Sequence, residues 1–246
     1  MEITLDCREI RERFDINTAI VAQKIIANKI KFEDEIQPSD IKTIMSLDAS
    51  YWKNNIEKGV GVAVALSYPE LEMVDCFITI RRVCIPYIPG LLAFREMYLL
   101  TPSLINLWKK VKPDVIFVDG HGYAHPRFAG LATHIGVVFN VPTIGIAKKR
   151  LIGQEVQRGG ERVLVYKDRI VGKILSLNNK KFYISVGSHI TLDGSVEIVK
   201  QTVKGKHIVP NSIADKISKS VRKKYSTMKF DDILIEECKK DFLEKI

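Results

Sequence analysis

Around residue 90 the hydrophobic pattern of this 246-residue chain changes period, and that change limits the folds open to it. Before it, three β-rich runs follow one another: Ile44-Met45-Ser46-Leu47-Asp48, Gly59 to Leu66, and Leu71 to Ile80. Asn54-Asn55 and Tyr68-Pro69-Glu70 read as the turns between them. Consecutive strands on short connections pair as an antiparallel meander. After residue 90, helices and strands alternate. Leu91 to Lys112 reads as a helix ended before Pro113, Asp114-Val115-Ile116-Phe117-Val118 as a short strand, Phe128 to Val138 as a helix and Pro142 to Ala147 as a strand. Such alternation builds a parallel sheet covered by helices. Arg162 to Tyr166 and Ile170 to Leu175 then flank a Lys167-Asp168-Arg169 turn, Phe182 to Val186 makes a further strand, and a helix starts at about Asp193. The predicted class is α/β, a mixed central sheet with an antiparallel meander followed by parallel strands, flanked by helices.

No Pro/Gly/Ser-rich linker or internal repeat divides the chain, so residues 1–246 are expected to form a single domain. A hydrophobic share of 46% with 27% charged residues excludes disorder and a minimal disulfide scaffold. Residues 8–30 carry Ile10, Phe14, Ala19, Ile20, Ala22, Ile25, Ile26 and Ile30 near a helical period, an amphipathic helix whose role is packing. Met1 to Asp6 hold acids where a signal peptide needs bases, and no apolar run reaches the roughly 18 residues of a membrane span. Cys7, Cys76, Cys84 and Cys238 form no C-x-x-C pair, which predicts reduced thiols in a cytoplasmic protein. A net charge of +9 biases the chain toward polyanionic partners. Between 200 and 230, nine Lys/Arg including Lys229 stand against one acid, Asp215; they form either a solvated helix face or a phosphate-contacting flank.

The residues fit for chemistry lie at strand ends. Asp48 and Asp119 each close an apolar run, and in α/β sheets ligands bind beyond the carboxyl ends of strands. Each could also be a turn or helix-capping residue. Glu96, early in the helix after Pro89-Gly90, is a third candidate, or an ordinary exposed helix acid. Converging carboxylates repel one another unless a divalent cation neutralises them, and an all-oxygen set suits Mg²⁺ or Mn²⁺. Such a cation can drive phosphodiester hydrolysis. In Asp119-Gly120-His121-Gly122-Tyr123-Ala124-His125-Pro126-Arg127, a zinc reading of His121 and His125 needs a helix that two glycines and Pro126 oppose. His125, Arg127 or both are expected to reach a cleft. Pro86-Tyr87-Ile88-Pro89-Gly90 is a stiff loop that either wedges into a nucleic-acid stack or packs Tyr87 into the core. In Ala147-Lys148-Lys149-Arg150 one lysine is expected to face the same cleft as a phosphate contact.

Together, Pro86 to Gly90, Phe94-Arg95-Glu96, Val118 to Gly122 through His125-Pro126-Arg127, and Pro142 to Gly145 through Ala147 to Leu151 closely resemble the endonuclease V family, from about Met45 to about Asp215. The resemblance implies an RNase H-like fold. It also implies Mg²⁺-dependent cleavage on the 3′ side of a hypoxanthine nucleotide, one nucleotide further along, leaving 3′-hydroxyl and 5′-phosphate ends. Asp48, Glu96, Asp119 and Asp215 match its metal-binding positions, with Mn²⁺ expected to substitute. His125 and Lys148 match residues near the scissile phosphate. Tyr87, with Pro86, Ile88 and Pro89, matches the wedge, and Gly90 and Gly122 match positions lining a flipped-base pocket. The expected partner is inosine-containing DNA, or inosine RNA for some family members, cut by a monomer. The alternatives are another RNase H-like structure-selective nuclease, or a binding module whose acids are structural.

Overall fold

The computed structural model describes residues 7–52, 55–225 and 234–238. Met1 to Asp6, Asn54 and Lys229, on which sequence expectations fell, lie outside the described residues. Two short helices, α1 (Cys7–Arg13) and α2 (Ile16–Ala27), precede the sheet. The meander follows as β1 (Thr43–Trp52), β2 (Asn55–Ser67) and β3 (Met73–Arg82). Then come α3 (Leu92–Trp108), β4 (Val115–Asp119), α4 (Leu131–Phe139) and β5 (Thr143–Ala147). An antiparallel run, β6 (Gln154–Arg158), β7 (Glu161–Tyr166), β8 (Arg169–Leu177) and β9 (Lys180–Ser188), leads to α5 (Leu192–Gln201). The short pair β10 (Val203–Lys204) and β11 (His207–Ile208) precedes α6 (Val209–Lys224), and β12 (Leu234–Glu237) returns to the sheet.

Ten strands form one sheet in the order β12-β3-β2-β1-β4-β5-β9-β8-β7-β6. β1, β4 and β5 are parallel at its centre, and the remaining pairings are antiparallel. This is the expected mixed sheet, with β12 and β6 added at its two edges; the Gln154-Glu155-Val156-Gln157-Arg158 of β6 carries too little apolar pattern to be read as a strand. Strand side chains alternate between faces. Met45, Leu47, Ile116 and Val118 therefore pack with Leu100, Leu104 and Ile135 of α3 and α4. Ile44, Val115, Phe117 and Ile144 pack with Ile198, Val199, Ala214 and Ile217 of α5 and α6. The C-terminal ends of the parallel strands thus open between α3 on one face and α6 on the other.

Two expectations change. The N-terminal amphipathic segment is broken at Asp15, whose carboxylate accepts from the Thr18 N–H at 2.6 Å and caps α2. Its buried residues are Ala19 and Gln23, while Val21 and Ile25 are exposed. The thiols are not reduced: Cys7 bonds to Cys84 and Cys76 to Cys238, across 77 and 162 residues. Such pairs leave no mark in local spacing, because only tertiary packing brings their Cα atoms to 4.7 and 5.3 Å. No helix among the described residues is long and apolar enough to cross a membrane.

Candidate active site

The parallel register sets Leu47 opposite Val118, so the residues that follow, Asp48 and Asp119, lie side by side on neighbouring strands; Asp119 ends β4, whereas Asp48, expected at a strand end, lies within β1, which pairs on with β2 as far as Trp52. Alternation points both toward α6, where Asp215 stands one turn before Ser218 and Lys219. One carboxylate oxygen from each of Asp48, Asp119 and Asp215 lies within 4.8 Å of the others. Ser218 Oγ donates to Asp48 Oδ2 and fixes that carboxylate. Glu96 comes from α3, on the opposite layer; it is buried and is not one of the three converging carboxylates.

Burial, reinforced by the charges of Asp119 and Asp215, pushes the Asp48 carboxyl up to about 7, although Ser218 opposes this. Burial, with Asp48 and Asp119 nearby, raises Glu96 to about 8. Burial also pushes Asp215 up, but Lys219 and Lys148 outweigh it and hold that carboxyl below its ordinary value. Lys148 Nζ lies 2.6 Å from Asp119 Oδ2 and 3.4 Å from Asp215 Oδ1, and Lys219 Nζ lies 2.5 Å from Asp215 Oδ2. Asp48, buried and crowded by like charge, carries the unmet demand for positive charge in a cluster whose other two carboxylates already face lysines. The cluster's all-oxygen donor set fits a hard divalent cation. As expected, Lys148 faces the cleft.

The Pro86–Gly90 loop lies outside regular structure, and Tyr87 is 62% exposed, so it is not core packing. The Leu91 N–H donates to the Ile88 carbonyl at 2.9 Å around Pro89 and Gly90, whose φ of 78° suits glycine. This is the residue pattern of a type II turn. The Gly90 carbonyl accepts from Gln23 Nε2 at 3.0 Å, His125 Nε2 at 3.1 Å and Arg127 Nη2 at 2.5 Å. Arg127 Nε also donates to Gln23 Oε1. The loop is therefore braced by α2 and by the segment after β4.

This bracing changes how several residues read. His125 is 5% exposed; with Nε2 on Gly90, its Nδ1 accepts from the Arg127 N–H at 3.3 Å. Burial, with Arg127 beside it, lowers it to about 3, so it is a neutral strut with both ring nitrogens engaged inside the protein. Arg127 likewise turns toward Gly90 and Gln23. Gly122 packs so tightly on β9 that a Cβ would lie 2.1 Å from the Val186 carbonyl oxygen. Its N–H donates to Ser185 Oγ at 2.9 Å and its carbonyl accepts from the Gly130 N–H at 3.0 Å. The Gly122 backbone groups, expected at a base pocket, are thus bonded within the fold. Gln23 and Ser218 escaped the sequence reading; the available signal was a glutamine four residues after Ala19 on the buried face of α2.

A sequence model described as Endonuclease V matches residues 24–216, beginning earlier than the motif resemblance near Met45. Endonuclease V of Aeropyrum pernix is 41% identical over 218 residues, covering 87% of this chain and 83% of that protein. Among solved structures, Ciona intestinalis Endonuclease V in complex with a 23mer DNA containing an inosine followed by a ribo-adenosine is similar at a TM-score of 0.76 and 30% identity. That match covers 85% of this chain and 97% of that one. The catalytic domain of human Endonuclease V matches at a TM-score of 0.78 and 25% identity, over 86% and 97%. These structures share an RNase H-like fold, as does this chain.

Proposed function

The chain belongs to the endonuclease V family and is a nuclease, and from that premise we propose that it recognises inosine in a nucleic-acid strand and hydrolyses the second phosphodiester on the 3′ side, leaving 3′-hydroxyl and 5′-phosphate ends. The observation that carries this reading is the convergence of Asp48 and Asp119, on neighbouring parallel strands, with Asp215 of α6. These three, with Glu96 behind them, would hold Mg²⁺, or Mn²⁺ in its place, and the ion supplies charge neutralisation at phosphate and acidification of water.

The protein's own groups do the rest. Tyr87, exposed on a loop stiffened by Pro86 and Pro89, takes the place of the displaced nucleotide in the stack. His125 and Arg127 act as positioning residues by holding Gly90, and therefore Tyr87, at a set distance from the carboxylates. Lys148 sits beside Asp119 and Asp215, where an incoming phosphate meets its ammonium. Ser218 keeps Asp48 in one orientation.

The test uses end-labelled single-stranded DNA and RNA oligonucleotides, each with one inosine, beside guanosine controls, in Mg²⁺ and in EDTA. The expected result is a Mg²⁺-dependent nick at the second bond 3′ to inosine. Asp119→Asn is expected to lose cleavage while still binding the strand. Turnover in EDTA, retained turnover by Asp119→Asn, or equal cutting of guanosine strands would each defeat the reading.

A further inference from the structure

Beside the carboxylates, a cavity of about 590 Å³ opens between the start of β9 and the N-terminal half of α6, a size within the ~300–1,000 Å³ of ligand pockets. Lys148 and Asp215 belong to both, so the cavity continues directly from the candidate catalytic centre. Five lysines line it against one lining carboxylate; Lys148 and Lys219 pair with that Asp215 and Lys181 pairs with Glu155, and the excess of positive charge that is left favours an anion. Asn211, in the first turn of α6, lines the same cavity and is 4% exposed. Neither its Nδ2 nor its Oδ1 has a partner among the described residues. Buried amides are ordinarily satisfied, so a side chain with both halves unpaired beside a basic cavity points to a ligand that completes it.

The chemistry narrows the ligand. An unpaired Nδ2 needs an acceptor and an unpaired Oδ1 needs a donor. A bare phosphate dianion accepts but does not donate, whereas a nucleotide brings phosphate oxygens together with a base or sugar edge that does both. We propose that this cavity seats one further nucleotide of the substrate strand, beyond the scissile bond, with its phosphate on the lysines and its polar edge on the Asn211 amide. The proposal rests on the nuclease reading, because it treats Lys148 and Asp215 as the boundary between the reacting phosphate and its neighbour. Lys180, exposed at the start of β9, and Asn211 are then binding residues rather than catalytic ones.

The experiment measures cleavage and binding of one labelled inosine strand trimmed a nucleotide at a time from each end. Wild type, Lys180→Ala and Asn211→Leu are compared for KM and kcat in Mg²⁺, and for Kd in EDTA by fluorescence anisotropy, after thermal melts establish folding. On the full strand, each variant should raise KM and Kd about tenfold, equivalent to ~1.4 kcal/mol, with kcat little changed. That penalty should vanish once trimming, from one end only, removes the seated nucleotide. Wild-type behaviour by both variants at every length, or a penalty that survives all trimming, overturns the subsite. Should Asn211→Leu fail to fold, Lys180→Ala decides by the same criteria. If inosine is cut normally and the variants bind like wild type, the subsite fails and the proposed function stands. A length-dependent binding penalty without inosine cleavage has the reverse meaning.

Discussion

Tyr87 and Asp48 lie at opposite extremes of exposure, and each is useful because of where it lies. Tyr87 keeps 62% of its surface in solvent on a loop with two prolines, so its ring is available to stack at little ordering cost. Base–aromatic stacking is worth ~1–3 kcal/mol per base, so Tyr87→Ala should lower the preference for inosine over guanosine strands by about tenfold or more. General strand affinity, governed by the basic surface, should change far less. Competition cleavage of paired inosine and guanosine strands measures this, and equal losses on both would exclude the wedge. Asp48, Asp119 and Tyr87 are legible because an aspartate closing an apolar run and a proline-bracketed aromatic are local patterns. His125 reads from sequence as a candidate cleft residue, but its partners, Gly90 and Arg127, are set by a loop that folds back rather than by spacing.

Among the elements, α2 departs most from its sequence appearance. Its apolar residues suggest a packing helix, yet Gln23 is its fully buried side chain and reaches both Gly90 and Ala129. The disulfides act at the same scale. Cys7–Cys84 ties α1 to the chain just before the Pro86–Gly90 loop, and Cys76–Cys238 ties the residue after β12 to β3. Disulfides contribute ~2–4 kcal/mol each, and at ~2–4 °C per kcal/mol for a chain of this size their loss is substantial. Reduction should lower the melting temperature by about 10 °C or more. Thermal melts with and without reductant, with intact masses and thiol titration of the native protein, check this. Four titratable thiols in the native state would contradict the pairing.

For the whole molecule, the site's electrostatics set a pH dependence with a defined sign. In the unfolded chain, carboxyls titrate near 4, whereas folded Asp48 and Glu96 hold protons to about 7 and 8. The folded state therefore binds more protons over that span, and these groups make stability fall as pH rises. Burial lowers His121 to about 4 and His125 to about 3, and also lowers His134 and His189; these histidines act oppositely, but only below their ordinary value of about 6.5. Above pH 6.5 the carboxyls stand unopposed by them. In EDTA the melting temperature should fall between about pH 6.5 and 8, and Mg²⁺ should restore most of the loss at the upper end. Asp48→Asn should flatten the fall. A flat or rising profile in EDTA, or no response to Mg²⁺, would contradict a strained carboxylate cluster.

Periodicity, with acids that close apolar runs, was enough to determine the mixed sheet, its antiparallel-then-parallel order, and two of the carboxylates that meet on it, Asp48 and Asp119. Side-chain alternation and connection length are local properties, readable along the chain. Tertiary structure alone decided that Glu96 stands on the opposite layer from Asp48, Asp119 and Asp215, that Gln23 braces the Tyr87 loop, and that the cysteines pair. It also decided that Asn211 lies unpaired at a basic cavity. Each of these depends on which faces of distant elements pack together, and packing is set by the whole hydrophobic core rather than by any local spacing.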